Sequence, residues 1–465
     1  MATVFVDHAA EELRSRIRGE IIESTSPDYE AARQVWNGVI DRKPAIIARC
    51  LDTADVVAAV NFARTTEMLV SIRGGGHNVA GNAVNDGGLV IDLSEMHGVT
   101  VDPEAMTARV QGGATWADVD SATQAYGLAA PGGKVSTTGV AGFTLHGGMS
   151  WMMRKVGLAL DNLRSVEIVT ADGNVRTASE RENADLFWAI RGAGSNFGVV
   201  TSFEFALHPI GTEVAVVAAF YALEDAPKVL RSYLELASAM PDEASTVAGF
   251  WSVPAHEAFP EEAHGKPVIL LAGMYSGDLE TGEALMQPLR EVATPVFDLS
   301  GRWPYLGLQG AFDPFFAAGD YYYFKALYLR ECDEAAQADM IRHATTRPSP
   351  ESLIMLWHLG GAMARRTDDA TAFGKLSSPF LYSLDTAWTD SRDSDRCIDW
   401  TREAWSSMQP HGTGGLYLNF GGFGEEKNAQ VRAGYGGNYD RLVELKSIYD
   451  PGNLFRMNQN IPPGQ

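Results

Sequence analysis

Residues 71–78, Ser-Ile-Arg-Gly-Gly-Gly-His-Asn, constrain this chain more than any other stretch. A strand-like run from Met68 to Arg73 ends on three glycines and then an imidazole. Consecutive glycines carry no side chains, so main-chain N–H groups can turn toward an anion and a ligand can approach the backbone. Glycine loops recur at 112–113, 132–133, 139–148 and 192–198, all within the first 210 residues. Loops distributed in this way suit a long polar ligand lying across the fold. They sit beside Arg73, His77, Thr137 and Thr138.

Two familiar phosphate cradles fail against these loops. A P-loop ends in Gly-Lys-Ser/Thr, whereas Gly133-Lys134 is followed by Val135 and position 128 is Leu. The dinucleotide fingerprint opens a helix after a strand. Here Gly192-Ala193-Gly194-Ser195-Asn196-Phe197-Gly198 has one residue too many and runs into a strand.

Apolar spacing predicts a helix over 54–67 and a strand over Leu89–Leu93. A helix with Thr115 as its cap should end at Gly127, and Asp172-Gly173 marks a hairpin. After residue 212 the strands lengthen and gain aromatics: Val214–Tyr221, Val268–Tyr275, Tyr321–Leu329, Leu353–Leu359 and Leu381–Trp388. Helices such as Asp225–Ala239 and Cys397–Met408 lie between them, which suggests an antiparallel sheet covered by helices. Beyond Tyr417 the chain is glycine-rich again and closes on a helix, Tyr439–Ile448, and DPGNLFRMNQNIPPG. The expected organisation is a first domain over 1–211, a second over 212–415, and a segment over 416–465 that returns to the first.

Composition narrows the partners. The net charge of −22 and pI near 4.8 disfavour nucleic acid and anionic membrane. No window holds eighteen uninterrupted apolar residues, and MATVFVDHAAEELRSRI reads as a short amphipathic helix rather than a secretory leader. Three scattered cysteines, Cys50, Cys332 and Cys397, give neither a disulfide framework nor metal-ligand spacing, so no metal is expected. A cytoplasmic monomer or homodimer is the expectation.

With these motifs in hand, a resemblance emerges. Arg73-Gly74-Gly75-Gly76-His77-Asn78 with IDLS at 91–94 resembles the flavin loop of the vanillyl-alcohol-oxidase family. Residues 132–162 resemble its second flavin loop, and 191–205 the end of that domain. YLNFGG at 417–422 and the stretch 435–463 resemble the tail of its berberine-bridge-enzyme-like branch, including bacterial 6-hydroxy-nicotine oxidases. The resemblance implies an α+β, two-domain FAD-binding fold of PCMH type with an antiparallel-sheet substrate domain.

It also implies chemistry. His77 would bond covalently to the 8α-methyl carbon of FAD. Many relatives add a cysteine at the position of Val135, and valine cannot make that second link. Arg73, Gly74, Gly75, Gly76, Asn78, Thr137, Thr138, Gly139, Gly142, His146, Gly148, Val200 and Asn458 match positions that line the cofactor. Arg154, Lys155 and Asn162 match a frequent family pattern and could equally be structural.

The implied reaction is oxidation of a small alcohol, amine or sugar, with molecular oxygen reoxidising the flavin to give H₂O₂. A dehydrogenase using another acceptor and a non-catalytic flavin-binding protein are the alternatives. Proton-accepting candidates are Tyr417 and Asn419 of the YLN motif and Tyr435, near the position of a catalytic tyrosine in plant relatives. Tyr321, Tyr323 and Lys325 share one strand face, and Lys325 could lower a tyrosine's pKa. Each of these aromatics would be equally at home in a core.

Overall fold

The computed structural model describes residues 10–374, 376–424 and 428–464. The amphipathic helix expected at the N-terminus lies partly outside the described residues; within them, residues 10–14 are helical.

The first part of the chain builds two sheets. Strands Ile46–Arg49, Leu89–Asp92 and Val70–Arg73 run parallel, with Glu20–Glu23 added antiparallel at the edge. The crossover from Ile46–Arg49 to Val70–Arg73 is the helix Thr53–Thr66, whose N-cap Asp52 accepts the Asp55 N–H. The second sheet is antiparallel, in the order Val99–Asp102, Thr107–Gln111, Val199–Ala206, Leu163–Val169, Val175–Ser179. Its Leu163–Val169/Val175–Ser179 hairpin turns on Gly173 at φ +79°. The Thr115 side chain accepts the Asp118 N–H and starts the helix Trp116–Gln124.

The second part is one antiparallel eight-stranded sheet. Its main path runs Phe297–Asp298, Glu213–Ala222, Pro267–Tyr275, Ala244–Ser252, Leu353–His358, Phe380–Trp388, Tyr321–Leu329, with Gly301–Pro304 also pairing with Glu213–Ala222. Ala244–Ser252, in mid-sheet, is a strand beyond those the sequence pattern marks. Strand Glu213–Ala222 is buried on both faces. Ala215, Val217, Ala219 and Tyr221 meet the helical layer, while Val214, Val216, Ala218 and Phe220 meet the first part through Met149–Leu160.

The tail packs onto the first part. Tyr439, Leu442, Leu445 and Ile461 join the core of the antiparallel sheet. The buried Lys446 ammonium lies 2.7 Å from the Asn196 and Phe455 carbonyls and from Asp450. Opposite charge and full hydrogen bonding make burial of that cation tolerable. Among the described residues no helix is long and apolar enough to cross a membrane.

Candidate active site

A large cavity lies between the glycine loops and the inner face of the eight-stranded sheet. Its floor begins with Gly74, Gly75 and Gly76, which continue the parallel strand Val70–Arg73. Gly75 and Gly139 touch through their backbones. A Cβ on Gly75 would lie 2.4 Å from the Gly139 nitrogen, and one on Gly139 would lie 2.3 Å from the Gly75 nitrogen. Gly142 differs: it lines the cavity, and a Cβ there meets no protein atom within 4 Å. The residue-free space over the loops is a cradle for a flat ligand.

His77 follows the bend. Its Nε2 lies 2.8 Å from Thr137 Oγ1, and its ring stacks on Trp36 at 4.8 Å. Nδ1 has no hydrogen-bond partner among the described residues, and the side chain lines the cavity. Burial pushes the imidazole pKa down to about 4, which favours the neutral ring. His146 is likewise held neutral by burial, with Nε2 2.9 Å from Ser195 Oγ and 3.5 Å from Asn458 Nδ2. Asn458 in turn accepts from Asn82 at 3.1 Å, so the tail closes over the cofactor loops.

The expected cofactor residues divide by placement. Asn78, Thr138, Gly139, Gly142, His146, Val200 and Asn458 line the cavity together with the 74–77 loop. Thr137 reaches it through His77, and Gly148 stands behind the wall with its N–H on Tyr417. The Arg73 side chain does not line it. Its guanidinium makes a two-point pair with Asp92, at 3.1 and 2.5 Å, which pins the glycine loop to the parallel sheet.

Among the proton-accepting candidates, Tyr417 and Asn419 line the cavity. The Tyr417 oxygen accepts the Gly148 and Met149 N–H groups, both at 3.3 Å, and the Asn419 amide at 3.2 Å. Its own proton has no acceptor among the described residues, which leaves it for a bound molecule. Burial raises the Tyr417 pKa against the pull of these donors.

Tyr435, Tyr323 and Lys325 lie elsewhere. The Tyr435 hydroxyl donates to the Gly192 carbonyl at 3.3 Å inside the first part's core, because helix Asn428–Tyr435 turns it inward. Odd residues of Tyr321–Leu329 face the helical layer: Lys325 Nζ lies 5.2 Å from the Trp405 ring and Arg402 lies 5.5 Å from the Tyr323 ring. Phe324, of the other parity, is the one that lines the cavity.

Sequence reasoning missed three ionisable groups in the wall, Lys134, Asp385 and Arg456. Asp385 stands opposite Phe324 and Leu353 in register, is 6% exposed, and its Oδ1 has no hydrogen-bond partner among the described residues. Lys134 Nζ lies 3.7 Å from the centre of the Trp357 ring and 4.7 Å from that of Trp151. Burial drives the carboxyl pKa up to about 7 against a Ser383 hydrogen bond and, more weakly, the Lys134 charge, and it drives the amine pKa down to about 7 against the Asp385 charge. The available signal was a lone acid in the otherwise uncharged strand Phe380–Trp388, and a lysine in a glycine loop that had failed only as a P-loop.

Residues 44–179 match the FAD binding domain family, and residues 416–462 match the berberine and berberine-like family. Over 454 residues the chain is 30% identical to an FAD-linked oxidoreductase of Dictyostelium discoideum, spanning 97% of this chain and 96% of that one. The chain belongs to the berberine-bridge-like family of FAD-linked oxidoreductases. This berberine-bridge-like enzyme is similar to 6-hydroxy-D-nicotine oxidase from Arthrobacter nicotinovorans, with 27% identity, a TM-score of 0.84, and coverage of 96% of this chain and 98% of the other. It is also similar to the carbohydrate oxidase from Microdochium nivale, with 25% identity, a TM-score of 0.84, and coverage of 98% and 100%. It is an FAD-dependent oxidoreductase of PCMH-type α+β fold, and the glycine cradle is where its residues fit FAD.

Proposed function

We propose that the protein is an oxidase with FAD joined covalently to His77, acting on an alcohol or amine of a compact metabolite or sugar. The observation that carries this reading is His77, which lines the cavity with Nε2 on Thr137 and Nδ1 without a hydrogen-bond partner among the described residues, beside two glycine loops in backbone contact. Val135 lines the cavity and no described cysteine does, which supports a single covalent link. Bound flavin supplies acceptance of a hydride from a substrate carbon and delivery of its two electrons to O₂, giving H₂O₂.

The chain's residues supply the rest. Asp385 Oδ1 accepts the proton that leaves the substrate O–H or N–H, so a carbonyl or imine forms as the C–H pair departs. Tyr417, its oxygen fixed by two main-chain donors, directs its O–H at the same substrate atom. Phe324, Leu353, Met355 and Trp357 keep water from the sheet side of the cavity. The aromatic wall suits the ring of a sugar as well as that of an aromatic amine.

Acid precipitation tests the covalent bond. Yellow colour should stay with the polypeptide, with an intact mass raised by one FAD. His77→Ala should release the colour into the supernatant; colour that remains bound in that variant would place the attachment on another residue.

A further inference from the structure

We propose that Thr137 is a positioning residue for the covalent bond: its hydroxyl engages His77 Nε2, Trp36 sets the plane of the ring, and Nδ1 is left as the nitrogen that joins the flavin. The proposal rests on the reading of His77 as the attachment residue and adds what selects the nitrogen.

An imidazole offers two nitrogens, and a neutral ring has one N–H and one lone pair. The hydrogen bond made by one nitrogen decides what the other presents. His77 Nε2 lies 2.8 Å from Thr137 Oγ1, whereas Nδ1 has no hydrogen-bond partner among the described residues and the side chain lines the cavity. The ring lies on Trp36, with centroids 4.8 Å apart and planes 18° apart. Stacking restrains the plane but is almost indifferent to a half-turn about Cβ–Cγ, which exchanges each nitrogen with a carbon. The Thr137 hydrogen bond is not indifferent, because the half-turn presents a carbon to the hydroxyl.

Both restraints are anchored outside the glycine bend. The Trp36 indole N–H donates to the Phe316 carbonyl at 2.9 Å, and its ring also stacks on Tyr322 at 3.8 Å. Thr137 stands between two tied neighbours. The Ser136 N–H and hydroxyl donate to Asp313 at 2.7 and 2.6 Å, and the Thr138 carbonyl accepts the Trp116 N–H at 3.0 Å. In the reactive form Nε2–H donates to Thr137 Oγ1, and the Nδ1 lone pair forms the bond to the 8α carbon. One methyl C–H and the ring N–H are lost, one N–C bond forms, and two electrons and two protons pass by way of the flavin to O₂, giving H₂O₂. The ring gains positive charge as the bond forms, so its hydrogen bond to Thr137 strengthens.

Intact mass reads this bond without turnover. Full-length protein produced free of flavin is mixed with FAD in air, and the gain of one FAD is followed with time. Thr137→Val should hold FAD at the parental level before acid treatment, yet gain it covalently about 10- to 100-fold more slowly. Thr137→Ser, which returns the hydroxyl, should recover the parental rate to within about threefold. A parental rate in Thr137→Val overturns the proposal. The linkage in the parent gives a second test that needs no variant. In the flavin peptide released by proteolysis, long-range proton–carbon NMR correlations from the 8α methylene should reach His77 Cγ and Cε1, the carbons that flank Nδ1. Correlations to Cδ2 and Cε1 would show attachment through Nε2 and overturn the proposal. Absence of covalent flavin in the parent, or its persistence in His77→Ala, removes the underlying reading instead.

Discussion

At Tyr417 a single oxygen joins the tail to the second glycine loop. Removing that oxygen leaves the buried Gly148 and Met149 N–H groups short of an acceptor, which costs about 1–3 kcal/mol. It also removes the O–H that the proposed reading directs at substrate. Tyr417→Phe should therefore retain covalent flavin by intact mass and slow anaerobic flavin reduction by about 100-fold. Because burial lifts the phenol's pKa, its O–H stays in place through neutral and mildly alkaline pH. The parent's rate should accordingly show no alkaline limb from this group below about pH 10. A Tyr417→Phe enzyme with the parental rate would reduce the residue to a brace.

The same separation of bracing from binding can be made within one short element, the helix Val140–Leu145 and its N-cap Gly139. Gly139→Ala drives a methyl onto the Gly75 nitrogen and should lower both melting temperature and flavin content. Gly142→Ala meets no protein atom and gains up to about 1 kcal/mol of helix propensity, yet its methyl stands in the cradle. It should leave melting of the flavin-free chain unchanged or raised while the flavin-to-protein absorbance ratio falls. Loss of stability in Gly142→Ala would show that the loop, not the ligand, needs the glycine. These loops were legible in the sequence because missing side chains are visible there. Which face of a strand meets the cavity was not. Tyr321–Leu329 is buried almost throughout, so no polar alternation marks its parity, and the pattern points to Tyr323 and Lys325 where Phe324 faces the cavity. Asp385 was hidden by the same two-sided burial. Tyr435 matched by motif spacing, and only the helix that carries it turns it into the core.

Across the whole molecule, polar ties bind the cofactor part to the sheet part. Asn37 bridges the Val79 and Tyr322 carbonyls at 2.8 and 2.9 Å, Asp313 receives the Ser136 N–H at 2.7 Å, and Gln309 reaches Asp120 at 3.0 Å. Asp120 is the costly one: its Oδ1 is buried without a partner among the described residues, and burial pushes its pKa up to about 7 against the Gln309 hydrogen bond. An unfolded aspartate titrates near 3.9, so the native state holds this proton more tightly. The stability linked to that proton is complete below about pH 4 and is lost as pH rises toward 7. At about 1.4 kcal/mol per unit, the loss has an upper bound on the order of 4 kcal/mol. Asp120→Asn keeps an oxygen for Gln309 and has no proton to lose. The difference in melting temperature, variant minus parent, should therefore grow from pH 5 to pH 8 in favour of the variant. A difference that stays flat across that range would mean Asp120 is ionised at the seam throughout, and that the tie between the two parts is a charged hydrogen bond instead of a buried acid.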